Sequence, residues 1–169
     1  MYYEIVSQFS RTLRNLDKIM GKAQAYATAR GFSPDNFVGE RIFPDMFPFA
    51  RQIQIACDQA KNAAANVSGK EAPRFDDNES TFEELRARIG KCVAYLDSFS
   101  AADFASVNAD ATVAMAYPKG KGMKKQPYFI QRQIPNFHFH VAMAYALLRK
   151  GGVEIGKGDY LGDLPLFDL

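Results

Sequence analysis

The stretch Thr81-Phe-Glu-Glu-Leu-Arg-Ala-Arg-Ile-Gly-Lys-Cys-Val-Ala-Tyr-Leu-Asp-Ser98 decides the fold class. Thr81 and Glu84 have the spacing of a capping box, in which each side chain satisfies a backbone N–H group of the other residue. Behind this box, apolar residues recur at steps of three and four: Phe82, Leu85, Ile89, Cys92, Val93 and Leu96. This period places the apolar residues on one face of a helix that ends near Ser98.

Three further stripes of the same period lie on either side of this helix. The first covers about residues 3–30 and ends before Gly31. The second follows Asp45, whose carboxylate is suited to cap a helix N-terminus, and ends at Gly69. The last fills Pro135–Lys150. Amphipathic helices with little strand signal bury their stripes only against each other. The sequence therefore predicts an all-α, antiparallel four-helix bundle, a single domain over residues 1–169, with a long crossover between helices 3 and 4.

The connecting segments carry weaker signals. Residues 32–44 read as a loop with a short turn, and residues 111–117 can form a short strand before the basic loop 118–125. A helical turn at 128–133 is expected to break at Pro135, because proline disfavours helical geometry in the residue before it. The apolar residues of the tail are expected to fold back on the bundle: Leu164, Leu166, Phe167 and Leu169.

Composition excludes several classes of protein. The net charge of +2 gives no electrostatic reason to expect a nucleic acid partner. No uncharged stretch reaches the roughly 20 apolar residues of a membrane span, and the N-terminus does not resemble a secretory signal. Cys57 and Cys92 stand alone, without metal or redox spacing, and are interpreted as small buried apolar residues. A cytoplasmic location is the simplest interpretation.

Polar residues on the inward faces mark one candidate ligand pocket. Asn136 precedes His140 by one helical turn, and His140 lies on the apolar stripe of the last helix. Gln52 lies at the edge of the apolar face of the second helix, and Asp45 precedes that helix. An unpaired polar group in an apolar interior costs about 1–3 kcal/mol, so these groups need one another, water or a bound ion. A structural hydrogen-bond network is the alternative. The helical period also predicts that His138 points outward and that Gln52 and Gln54 do not face the core together.

Several motifs resemble a known family over nearly the entire chain. They are residues 41–48 (RIFPDMFP), 51–58 (RQIQIACD), 135–140 (PNFHFH), 144–149 (AYALLR) and 156–162 (GKGDYLG). Together they are similar to a bacterial family of unknown function within the DinB/YfiT-like superfamily. The resemblance implies a four-helix bundle, a homodimer, and a divalent metal held by one histidine of the second helix and a His-x-x-x-His pair of the fourth. Some members of the superfamily are thiol-dependent transferases.

Carried over to this sequence, the metal motif is only partly present. His140 occupies the second position of the pair, Asn136 occupies the first, and Gln52 is the inward polar residue nearest to the missing second-helix histidine. Amide oxygens are poor ligands for zinc or nickel. The leading hypothesis is therefore a bundle that binds a small molecule in a polar pocket of Asp45, Gln52, Asn136 and His140. The alternative is a metal-dependent transferase or hydrolase in which His140 holds zinc or nickel, and a third hypothesis is a purely structural or interaction protein.

Overall fold

Four long helices dominate the computed structural model, which describes residues 1–168. They are Tyr2–Ala29, Phe49–Ser68, Phe82–Asp97 and Ile134–Lys150, named here the first to fourth helix in chain order. Short 3-10 helices lie at Pro34–Phe37 and Ala101–Phe104, and a short terminal helix spans Lys157–Leu161. The fold is thus mostly helical, and each of the four predicted stripes forms one long helix.

Local chemistry explains where the helices begin and end. The capping box predicted at Thr81 is present, and Gly69 ends the second helix with a left-handed φ of 87°. The prediction that Asp45 caps the second helix is wrong. Asp45 is exposed in the preceding loop, three residues before Pro48, the residue in the N-cap position. The backbone N–H group of Phe49 instead donates to the backbone O of Glu40 at 2.9 Å.

The directions of the helices follow from the residues that touch. The first and third helices run antiparallel, because Asp17 pairs with Arg86 while Arg14, nearer the start, pairs with Asp97. The second and fourth helices are also antiparallel. The Gln133 side chain, at the entrance to the fourth helix, bonds the backbone O of Gln59, whereas Gln52 contacts a residue further along the fourth helix.

The second and third helices run in the same direction, which corrects the expectation of a uniformly antiparallel arrangement. Their starting residues Phe49 and Phe82 stack with ring centroids 5.7 Å apart, and further along Cys92 Sγ lies 3.4 Å from the backbone O of Cys57. The connector between Gly69 and Thr81 must therefore return along the full length of the second helix. A 20-residue helix is about 30 Å long, and the connector is long enough to cover this distance when extended.

The core lies where the four stripes meet. Phe9, Leu13, Leu16 and Met20 of the first helix are fully buried, and Phe9 packs against Phe137 of the fourth helix with centroids 4.4 Å apart. Alanine dominates the buried face of the second helix towards its end. Small side chains let neighbouring helices approach closely there.

The crossover between the third and fourth helices contains a small sheet. Strands Thr112–Ala114 (β1) and Gly122–Lys124 (β2) pair antiparallel, with Val113 opposite Met123. The predicted strand at 111–117 is confirmed in its first half. The prediction of a loop at 118–125 is wrong for β2. Three residues are too few to show the alternation of apolar and polar side chains by which a strand is recognised.

The entrance to the fourth helix is continuous and not broken at Pro135. A helical turn at Lys125–Pro127 leads into a π-helical segment at Tyr128–Gln133, which joins Ile134–Lys150 directly. Proline removes one i→i−4 hydrogen bond and crowds the carbonyl four residues earlier, here that of Gln131. Gln131 lies inside the wider π-helical segment, where the backbone carbonyls do not follow the i→i−4 pattern.

The tail packs back over the first helix in part. Val153 and Ile155 are buried in the core, and Asn15 Nδ2 donates to the backbone O of Leu161 at 3.0 Å. Beyond this point the prediction is wrong, since Leu164, Leu166 and Phe167 are 45%, 85% and 82% exposed. Leu169, also predicted to fold back, lies outside the described residues.

Candidate functional site

A buried amide–imidazole pair joins the second and fourth helices. Gln52 lies in the first turn of the second helix, and the antiparallel crossing brings it opposite His140. Gln52 Oε1 lies 2.7 Å from His140 Nδ1, and both residues are buried. Gln52 Nε2 donates to the backbone O of Phe47 at 3.0 Å, which fixes the amide with its oxygen towards the ring. His140 Nδ1 therefore carries the hydrogen and donates it to Gln52.

The electrostatic surroundings keep this imidazole neutral. Burial, followed by the positive charge of Arg51, lowers the pKa of His140 to about 4. The second ring nitrogen, Nε2, makes no hydrogen bond to residues 1–168. Within this range, Arg88 Nε is the only side-chain nitrogen or oxygen that is both fully buried and without a hydrogen-bond partner. Because His140 Nε2 also lacks a partner, it is not fully buried and keeps contact with solvent. An uncharged Nε2 lone pair can accept a hydrogen bond or a proton from a bound molecule.

The structure brings together two of the four predicted pocket residues. Asn136 lies one turn before His140, as expected, but it is only half-buried, and its side chain makes no hydrogen bond to residues 1–168. Asp45 is exposed in the loop, and its side chain likewise makes no hydrogen bond to Gln52 or His140. The observed centre of the site is therefore Gln52 and His140, while roles for Asn136 and Asp45 stay predictions.

His138 does not face solvent as predicted. Its ring is half-buried and packs edge-on against Phe137, with Nδ1 3.4 Å from the hydroxyl oxygen of Tyr160. Burial lowers the pKa of His138 as well. The helical period correctly predicted the side of the fourth helix from which His138 projects. Tyr160, which lies beside His138, belongs to the short terminal helix, and the period of the fourth helix does not predict where that helix lies.

Comparisons with known proteins identify the family and support the fold. Residues 1–161 match the family described as "Domain of unknown function (DUF1993)". The chain is also 41% identical to a DinB family member protein from Shewanella denitrificans, known from a crystal structure. The alignment covers 99% of this chain and 95% of that protein, with a TM-score of 0.93. The chain belongs to the DUF1993 family. It is also a member of the DinB family, which confirms the resemblance found in the sequence. The search of the curated proteins found no match.

The residues of this DUF1993 chain do not fit the metal centre that the DinB/YfiT resemblance implies. A catalytic zinc site needs three strong protein ligands and one open position. His140 offers one free nitrogen, since Nδ1 is bonded to Gln52. Within residues 1–168, no three His, Cys, Asp or Glu side chains lie close enough together to hold a metal ion. The donor set around His140 is thus that of a hydrogen-bonding site.

A buried arginine cluster of the DUF1993 chain was missed in the sequence. Arg88 is fully buried between the second and third helices and bonds Glu79 Oε1 at 2.9 Å and Asp58 Oδ1 at 2.9 Å. Gln54 joins the same cluster by donating to Glu79 at 3.0 Å. Gln52 and Gln54 are therefore both buried, contrary to the prediction, because they face different neighbouring segments. The sequence signal for this cluster is the position of Arg88 on the apolar stripe of the third helix, three residues after Leu85 and four before Cys92.

The two cysteines behave as the sequence indicated. Cys57 and Cys92 are both fully buried and reduced, on facing sides of the second and third helices. The contact with Cys57 and the burial of the site raise the pKa of the Cys92 thiol. A thiol with a raised pKa is a weak nucleophile at neutral pH, so Cys92 is not suited to thiol chemistry in the folded chain. No helix within residues 1–168 is long and apolar enough to cross a membrane.

Proposed function

We propose that this DinB family chain is a four-helix-bundle protein that binds a small polar molecule through His140. The proposal rests on one observation, the 2.7 Å contact between Gln52 Oε1 and His140 Nδ1. This bond orients the ring and leaves one acceptor nitrogen, Nε2, to meet a ligand. The pairwise directions of the helices support the bundle, with the first and fourth helices running opposite to the second and third.

The chemistry of the pair defines the ligand group that fits. A neutral imidazole nitrogen accepts a hydrogen bond, so the ligand should present a hydroxyl, amide or ammonium hydrogen to Nε2. Phe139, which is half exposed, packs edge-on against the His140 ring with centroids 5.2 Å apart. It offers an apolar surface beside the polar contact. Such a combination of apolar wall and few polar groups is typical of small-molecule sites.

A thermal-shift screen of small polar metabolites tests the proposal. A ligand present at 100 times its Kd stabilises the folded state by about 2.7 kcal/mol. We expect a compound that raises the Tm of the unmodified chain to have no effect on the double variant Gln52→Met/His140→Phe. This variant replaces both partners by apolar groups of similar size, which keeps the cost to stability small. His138→Phe is the matched control and should keep the full response.

Two results would contradict binding at His140. One is a screen in which no compound raises the Tm of the unmodified chain. The other is a compound that stabilises Gln52→Met/His140→Phe as strongly as the unmodified chain. In that second case a small molecule binds elsewhere.

The homodimer implied by the resemblance stays part of the proposal. Large apolar side chains are exposed around the loop before the second helix and on the fourth helix: Ile42, Phe43, Phe47 and Phe139. Contiguous exposed apolar side chains are typical of association surfaces. Sedimentation velocity measures the oligomeric state directly, and a monomer at all concentrations would contradict the dimer.

A further inference from the structure

A polar cleft lies between the second helix, the end of β1 and the π-helical segment. Its volume is about 210 Å³. Since one water occupies roughly 30 Å³ in the liquid, the cleft has room for about seven waters or a small metabolite. Its polar lining includes Asp58, Asn62 and Asn66 of the second helix, with Tyr128 and Arg132 opposite. Asp58 is six residues beyond Gln52, about 9 Å along the helix axis, so this cleft is distinct from the His140 site.

Arg132 brings a positive charge to the cleft that no carboxylate of residues 1–168 neutralises. Only its Nη1 atom is used, donating to the side-chain oxygens of Gln59 and Gln133. Its Nη2 and Nε atoms make no hydrogen bond within the described part of the chain. Arg86 and Arg88, by contrast, are both paired with carboxylates. Arg132 is therefore able to bind an anion with the edge of its guanidinium group.

Tyr128 adds a hydrogen-bond donor beside Arg132. Asn66 Nδ2 donates to the Tyr128 hydroxyl oxygen at 2.8 Å, so the phenol hydrogen itself is free to donate. Burial raises the pKa of Tyr128, which keeps this hydrogen in place at neutral pH. Asn62 lines the same cleft, and its amide supplies two further donors.

The negative charges nearby are already balanced. Asp58 Oδ1 accepts from Arg88 at 2.9 Å and lies 3.3 Å from Lys61 Nζ. The connected cluster contains three cations and three anions, namely Arg51, Lys61, Arg88, Asp58, Asp77 and Glu79. Among the described residues that line the cleft, Arg132 is thus the one positive charge without a carboxylate partner. This charge balance favours a monoanion over a neutral or zwitterionic molecule.

We infer that the cleft binds a small monocarboxylate. The carboxylate pairs with Arg132 and accepts the Tyr128 hydroxyl hydrogen, while a hydroxyl group on the ligand reaches the amide of Asn62. A phosphate at neutral pH carries more negative charge than the single guanidinium of Arg132 balances. The inference concerns residues further along the second helix and does not depend on ligand binding at His140.

An NMR titration of the full chain with acetate, glycolate and glycerate tests the inference. We expect saturable shifts in the backbone amide signals of residues 59–66 and 128–132 with at least one of these carboxylates. The matching neutral amides and inorganic phosphate should bind at least tenfold more weakly. Loss of a charge-assisted hydrogen bond typically weakens binding by about tenfold to a hundredfold. Arg132→Gln should therefore weaken carboxylate binding to this extent, Arg132→Lys should weaken it less, and Arg11→Gln, an exposed arginine outside the cleft, should leave it unchanged.

Three outcomes would overturn the inference. The first is the absence of saturable shifts at the cleft with any of the three carboxylates. The second is equal or tighter binding of the neutral amides or of phosphate. The third is unchanged carboxylate affinity in Arg132→Gln, with circular dichroism confirming that this variant is folded. Failure of the His140 proposal would appear separately, in the Gln52→Met/His140→Phe variant.

Discussion

Replacing Arg88 with methionine should cost far more stability than the same change two residues earlier. The Arg88 guanidinium is within 2.9 Å of Glu79 and Asp58 and 2.7 Å from Asp77, and its side chain is 1% exposed. Removing one partner of a buried ion pair costs about 3–5 kcal/mol, because the other charge stays buried. The Asp58 and Asp77 side chains are 25% and 32% exposed and can regain water, whereas Glu79, at 13%, regains less. The lower end of the range, about 3 kcal/mol, is therefore expected for Arg88→Met.

Urea unfolding followed by far-ultraviolet circular dichroism measures this loss. Arg86→Met is the matched control, because Arg86 pairs with Asp17 where the two side chains keep 26% and 38% of their exposure, and solvent screening holds such a pair to about 1 kcal/mol. For a chain of this size, a loss of 3 kcal/mol corresponds to a Tm lower by about 6–12 °C. If Arg88→Met were within 1 kcal/mol of Arg86→Met, the Arg88 cluster would not hold the returning connector on the helices, and the reasoning would be refuted.

Two further predictions concern pH and backbone geometry. Because the pKa of His140 is lowered from 6.5 to about 4, stability should fall as the pH drops from about 6.5 to about 4. This loss amounts to about 3 kcal/mol at 1.36 kcal/mol per pKa unit. Urea unfolding at several pH values should show a smaller loss in Gln52→Met/His140→Phe than in the unmodified chain, and an equal loss in both would exclude the role of His140. Gly152→Ala should cost about 1–2 kcal/mol, because φ at Gly152 is +91° and an added Cβ would lie 2.5 Å from the Tyr26 hydroxyl. Gly156→Ala, with open space around it, should unfold at the same urea concentration as the unmodified chain, and an equal cost for both changes would contradict this account.

Helix positions were predictable from the sequence because each helix carries its own local signals. The capping box at Thr81 and the glycine after the second helix are both read from adjacent residues, and both lie where predicted. The parallel direction of the second and third helices was not predictable in this way. It depends on Arg88 holding the acidic connector along the helix pair, and this contact joins residues that are far apart in sequence.

The candidate site was predictable in part for the same reason. Helical periodicity placed Gln52 and His140 on inward faces, and the antiparallel crossing then brings them together. Asp45 was placed wrongly because a cap was assumed at the first acidic residue before the stripe, whereas backbone carbonyls of the preceding loop fill that role. The polar cleft could not be foreseen, since it forms between a helix, a three-residue strand and a π-helical segment.

The Arg88 cluster and the Gln52–His140 pair differ in whether their unpartnered atom is accessible to a bound molecule. Arg88 uses both terminal nitrogens for bonds to its neighbours, and its one unpartnered atom, Nε, is sealed from solvent among residues 1–168. No ligand reaches that atom, so the Arg88 guanidinium serves to stabilise the fold. His140 uses one ring nitrogen for Gln52, and the other contacts solvent while the ring stays neutral. The open Nε2 atom is therefore the one part of the buried pair that a bound molecule can complete.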